Sequence, residues 1–180
     1  MRNILKDYPQ PHKPRYLKKN FRSFKDMLTA SYRGKEFYNG SRSTGYGGYK
    51  YDGRWKSVAH NCNNFYKLKN YSKILHLNCD YGFLLHDLKK INNKFKIFGT
   101  ETSKFAIKNS MNDIKKSISY IRPIDVKFKK NYFDLVVAIG VVYTLNLPDV
   151  MILLKNISHF SKNAFVTLAS YRTDQEKYLF

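Results

Sequence analysis

From about residue 58 onward, apolar positions fall into two alternating rhythms. Short apolar-rich runs at 74–77, 95–99, 117–123, 133–139 and 164–169 predict five strands. The near-continuous apolarity of 133–139 and 164–169 suits strands buried on both faces. Between the runs, apolar residues recur every three or four positions at 58–68, 83–88, 103–112 and 147–158, which predicts helices. Lys89 and Lys90 close the second of these, where cations suit a helix C-terminus. Ser103 offers an N-cap to the third, with Phe105, Ala106 and Ile107 on its apolar side. Strands alternating with helices predict an α/β fold: a Rossmann-like, mostly parallel sheet with helices on both faces.

The chain before residue 58 has neither rhythm throughout. Residues 1–20 carry Pro9, Pro11 and Pro14 among charges and read as a flexible basic arm. Residues 21–32 predict a short helix with Phe24, Met27 and Leu28 turned to the core. Residues 37–55, FYNGSRSTGYGGYKYDGRW, set five glycines among aromatics and arginines. No regular element tolerates so many glycines, and the bulky rings need partners, so this stretch predicts an ordered lid. Three parts result: an arm (1–20), a helix with a Gly/Tyr-rich lid (21–57) and an α/β domain (58–180).

Candidate chemistry concentrates between residues 72 and 102. The order is strand, loop (78–82), helix, strand and then the acid Glu101. That order builds a nucleotide crevice at the carboxyl ends of parallel strands, with an acid placed for ribose hydroxyls. The loop has one glycine, Gly82, and His76 interrupts the apolar run that precedes it.

Composition narrows the classes. The 180 residues hold 33 basic and 13 acidic side chains, a formal charge of +20. Nucleic acid is therefore a conceivable partner, but the basic residues are scattered rather than blocked, which does not favour it. Cys62 and Cys79 cannot form a zinc cluster or a disulfide framework, and no metal site is expected. Two free cysteines and an N-terminus without an apolar segment read as cytoplasmic, and no apolar run reaches the roughly 18 residues of a membrane span. Oligomeric state has no signature.

Several motifs resemble those of the class I S-adenosylmethionine-dependent methyltransferases. KILHLNCDYGF resembles their first motif, a strand followed by D-x-G-x-G-x-G; FGTETSKFAI resembles the second; NYFDLVVAIGVVYTL resembles the fourth. GYGGYKYDGRW (45–55) and SYRTDQE (170–176) resemble features of a bacterial subfamily acting on small molecules, including surface-polysaccharide precursors. The chain departs from the pattern at several positions. His76 replaces the first-motif acid, Asn78 and Asp80 replace two glycines, and Arg122-Pro123 displaces Asp125. Tyr143-Thr144 stands for a His-Asn pair, and the superfamily's terminal β-hairpin is expected to be missing.

The resemblance implies S-adenosylmethionine as cofactor. It places Asn78, Cys79, Asp80, Tyr81 and Gly82 around its methionine part, Glu101 at the ribose and Asp125 at the adenine, with Thr102 and Ala138 also among the cofactor-binding residues. It implies an acceptor pocket from Tyr46, Tyr49, Arg54, Trp55 and Tyr143, with Arg172 and Glu176 nearby and Tyr143 as the catalytic candidate. The implied activity is methyl transfer to a small-molecule acceptor, with sugar- and nucleotide-linked compounds among the classes it suggests. The alternatives are a methyltransferase-like binding protein without catalysis and, less favoured, an RNA or DNA methyltransferase. An open crevice roofed by the lid distinguishes the first; a crevice filled by His76, Asp80 or Tyr81 distinguishes the second.

Overall fold

The computed structural model describes residues 3–9 and 22–168. Strands β1 (Lys73–His76), β2 (Lys96–Glu101), β3 (Ile118–Tyr120), β4 (Leu135–Ala138) and β5 (Ala164–Val166) form one sheet in the order β3-β2-β1-β4-β5. Every pairing is parallel, as in the register Leu75 opposite Phe98 on one side and Val136 on the other. Between β1 and β4 the strand order reverses, and such switch points leave a crevice at the carboxyl ends of the strands.

Alternation along each strand sends side chains to two cores. Ile74, Ile97, Leu135 and Val137 pack against Val58, Ala59 and Cys62 of α3 (Lys56–Tyr66) and Leu84, Leu85 and Leu88 of α4 (Phe83–Ile91). On the opposite face Leu75, Val136 and Ala138 meet Leu153, Ile157 and Phe160 of α6 (Leu147–Phe160). α5 (Lys104–Lys108) follows β2, and Ser103 caps it by accepting a hydrogen bond from the Ala106 N–H. The expected helices on both faces of a parallel sheet are present.

Three expectations need correction. α1 (Phe24–Ser31) buries no residue: Phe24 is 77% exposed, Met27 52% and Leu28 45%. Its apolar stripe does not face the core, because the helix packs beside α2 (Lys35–Asn39) and not on the sheet. β5 is an edge strand among the described residues, with Ala164 exposed and Phe165 and Val166 half-buried, so it lacks the two-sided cover its apolarity implied. Residues 3–9, read as part of a flexible arm, pack onto α3. Ile4, Leu5 and Tyr8 join the first core, and Asn61 donates to the Ile4 carbonyl at 2.9 Å.

The lid is ordered. α2 occupies its start, and residues 40–55 then fold back over it: the Tyr46 N–H donates to Phe37 O at 2.8 Å and the Gly48 N–H to Tyr38 O at 3.0 Å. Gly45 permits the fold-back, since a Cβ there would lie 2.1 Å from Phe37 O.

A candidate ligand cavity beneath the aromatic lid

A cavity of about 560 Å³ opens at the carboxyl ends of β1, β4 and β5, within the range usual for small-molecule sites. Its floor is His76, Asn78, Cys79 and Asp80 after β1, Ile139 and Gly140 after β4, and Thr167 after β5. Tyr46, Tyr49, Arg54 and Trp55 of the lid roof it, with Leu5 and Tyr8 of the N-terminal segment at one side. Tyr143, on a single 3₁₀ turn at Val142–Thr144, stands half-exposed at the mouth.

Local sequence explains the floor. Asn78 (φ 56°) and Asp80 (φ 53°) both take the left-handed backbone that glycines take in the first-motif pattern, and both residue types tolerate it better than most. The loop is pinned to β2: Asn78 N–H donates to Thr100 Oγ1 at 3.1 Å, and Cys79 N–H to Thr100 O at 2.9 Å. Gly82 (φ 74°) ends the turn and opens α4, where an added Cβ would meet Ile114 Cδ1 at 2.3 Å.

Asp80 is the centre of a polar knot. Its carboxylate pairs with the Arg33 guanidinium, and it accepts the Tyr38 hydroxyl at 2.7 Å and the Tyr46 hydroxyl at 3.1 Å. Its own N–H donates to Glu101 Oε2 at 2.8 Å. Glu101 Oε1 accepts the N–H groups of Thr102 (2.8 Å) and Ser103 (2.9 Å), and Glu101 has no exposed surface. Burial, followed by the nearby Asp80, raises the Glu101 pKa; Arg33 and the backbone donors work against that rise. Burial, then Asp80, also pushes the Tyr38, Tyr46 and Tyr49 hydroxyls well above their usual range. The Cys79 thiol is pushed up by burial and then by Glu101 and Asp80, so it stands in the floor as a neutral thiol.

Ring contacts fasten the roof to this knot. Tyr38 stacks on Tyr81 (centroids 4.8 Å apart) and Tyr46 on Tyr49 (4.3 Å), while Tyr49 stacks on Phe83 of α4 (4.9 Å). Such pairs contribute about 0.5–1.5 kcal/mol each beyond burial.

The structure thus brings together Asn78, Cys79, Asp80, Tyr46, Tyr49, Arg54, Trp55 and Tyr143. The other candidates do not line the cavity. Tyr81 turns into the aromatic cluster, Gly82 caps α4, and Ala138 is buried in the second core. Glu101 is sealed under Asp80, and Thr102 lies beside it, its hydroxyl 3.4 Å from Asn78 Oδ1. Asp125 is exposed, 3.9 Å from Arg122. Arg172 and Glu176 lie outside the described residues. Sequence reasoning missed Arg33 and Tyr38 altogether. One arginine among 33 basic residues carries no local signal. Among the described residues no group of three or more potential metal ligands occurs, and no helix is long and apolar enough to cross a membrane.

Solved structures of similar fold set the architecture in context. A provisionally assigned S-adenosylmethionine-dependent methyltransferase from Methanococcus maripaludis superposes with a TM-score of 0.51 at 21% identity, covering 60% of this chain and 51% of that one. The fold is that of the class I methyltransferases. A provisionally assigned sarcosine dimethylglycine methyltransferase from Galdieria sulphuraria matches with a TM-score of 0.50 at 14% identity, over 61% of this chain and 43% of that one. The [4+2]-cyclase SpnF shares the fold with a TM-score of 0.51 at 15% identity, over 59% and 41%. The matched region spans about half or less of the length of these structures. No protein-family model matches the sequence, and no curated protein does.

Proposed function

We propose that the protein is an S-adenosylmethionine-dependent methyltransferase acting on a small-molecule acceptor, of which sugar- and nucleotide-linked compounds are the first to test. The observation that carries this reading is the open, lid-roofed cavity at the switch point of a methyltransferase-type sheet. S-adenosylmethionine supplies an electrophilic methyl group for in-line displacement. The protein's part is then proximity and alignment.

The residues fit the cofactor unevenly. The backbone of residues 78–80 suits its amino-acid end. At the ribose, Glu101 has the right position on the chain but no free surface. Ribose reaches Glu101 only if the Arg33–Asp80 pair swings aside. Thr102 and Ala138 stay in this reading as neighbours of the cofactor, whereas exposed Asp125 reaches the adenine only through a local rearrangement. Tyr46, Tyr49, Arg54, Trp55 and Tyr143 form the acceptor pocket, where stacking and charge orient the substrate. Tyr143 stays the catalytic candidate, orienting the nucleophile by hydrogen bonding from the mouth of the cavity.

The sealed Glu101 favours a second reading, a protein of this fold that binds ligands without transferring methyl groups. Calorimetric titration of the full chain with S-adenosylmethionine decides between them. The methyltransferase reading expects a micromolar Kd, about −8 kcal/mol or somewhat weaker, raised at least tenfold in Glu101→Gln. Absence of binding at millimolar cofactor overturns it and leaves the second.

A further inference from the structure

The cavity floor holds one group that the reading above leaves unused. His76 ends β1, is 6% exposed and lines the cavity, and neither ring nitrogen has a hydrogen-bond partner. An imidazole carries a donor and an acceptor, and leaving both buried and unpaired is costly unless a ligand completes them. Burial alone accounts for its pKa, lowered to about 4, so no carboxylate already serves it. Asp80, the carboxylate of this cavity, is occupied by Arg33, Tyr38 and Tyr46. The remaining charged groups of the lining are Arg42, Lys50 and Arg54, all cationic. Arg42 donates to Tyr46 O at 2.7 Å, and Arg54 pairs with Asp52 outside the cavity.

We propose that the cavity takes an anionic acceptor, a carboxylate or a phosphate ester, with one of its oxygens meeting the His76 imidazole at the floor beneath a cationic rim. This rests on the methyltransferase reading and names the class of its acceptor. An anion beside His76 favours the imidazolium, so binding draws a proton from solution and tightens as pH falls. The other titratable groups around the cavity are Cys79 and Asp80 of the loop, Tyr46 and Tyr49 of the lid, Tyr8 of the N-terminal segment and Tyr143 after β4. A His76→Gln variant separates their contribution from that of the imidazole.

The test follows the imidazole C–H signals of the full chain by NMR between pH 5.5 and 8, with sulfate and acetate as probes against chloride at constant ionic strength. The signal lost in His76→Gln identifies His76. Trp55, the single tryptophan and part of the roof, reports binding independently by fluorescence. Without a probe the His76 signal is expected to stay that of the neutral ring throughout. With sulfate or acetate it is expected to titrate inside the window, and the Trp55 response is expected to need several-fold less probe at the acid end. That pH dependence disappears in His76→Gln. The double variant Lys50→Ala/Arg54→Ala, altered only at exposed rim positions, is expected to bind sulfate more weakly with its fold intact. A His76 signal indifferent to both anions overturns the proposal.

Repeating the titration with saturating S-adenosylhomocysteine separates the source of the anion. A surviving sulfate response assigns it to the acceptor. A response abolished because the cofactor product itself protonates His76 assigns it to the cofactor's carboxylate and overturns the acceptor class. Anion binding with no response to S-adenosylhomocysteine at all overturns the methyltransferase reading while the anion site stands.

Discussion

Asp80 occupies a position where side chains are costly, on left-handed backbone and in a loop that must admit a ligand. The chain compensates by giving its carboxylate three donors and its N–H a buried acceptor. Removing Arg33 leaves a mostly buried carboxylate without its cation. Arg33→Ala is expected to lower unfolding free energy by about 2–4 kcal/mol in urea denaturation, towards the lower end because the pair keeps some contact with water. Tyr38→Phe removes the hydroxyl that donates to Asp80 and accepts from Arg33 at 3.2 Å, and is expected to cost about 1–3 kcal/mol by the same measurement. His76 supplies the pH signature. Its folded pKa of about 4 lies below the value near 6.5 of an unfolded histidine, so the unfolded chain binds the extra proton between those values. Stability attributable to His76 is therefore lowest below pH 4 and rises up to about pH 6.5, by roughly 3 kcal/mol in all. Glu101 and Asp87, both raised first by burial, act in the opposite direction, losing stability as pH rises above the ordinary carboxylate range. The difference between wild type and His76→Gln in chemical denaturation at pH 4.5, 5.5 and 6.5 isolates what the histidine contributes.

At the scale of elements, the turn between β1 and α4 decides whether the cavity exists. Gly82 meets two constraints at once, a positive φ and the approach of Ile114. Gly82→Ala is expected to destabilise by about 1–3 kcal/mol, read as a lower thermal midpoint, with relief limited to what the end of the Ile114 side chain can yield. α1 makes the opposite case. A capping box of Ser23 and Asp26 forms the helix, yet its apolar side stays in solvent. Met27→Lys is accordingly expected to change stability by no more than about 0.5 kcal/mol, whereas the same substitution in a core-facing helix costs several times that. The stripe reads identically in both cases, because periodicity states that one face is apolar and not what covers it.

The molecule as a whole sets a lid and a sheet against each other across one crevice. A ligand that binds only the folded form at a hundred times its Kd adds about 2.7 kcal/mol, so saturating S-adenosylhomocysteine is expected to raise the melting temperature by roughly 5–10 °C. An unchanged melting curve counts against the cofactor. Much of this architecture was legible beforehand. The order of strands and helices, the two-sided core, the 78–82 loop and the ordered lid follow from apolar periodicity and glycine placement, which act over a few residues at a time. The site was legible only where it is local: residues 78–80 sit next to the strand end that positions them. What remained hidden depends on distance. Arg33 meets Asp80 across 47 positions, Tyr38 across 42, and their arrival seals Glu101, which the sequence order alone marks as a ribose acid. Local pattern therefore determined which elements form and where a crevice must lie. Tertiary packing alone decided which half of that crevice stays open, because long-range ion pairs and ring stacks compete for the same carboxylates that a ligand would use.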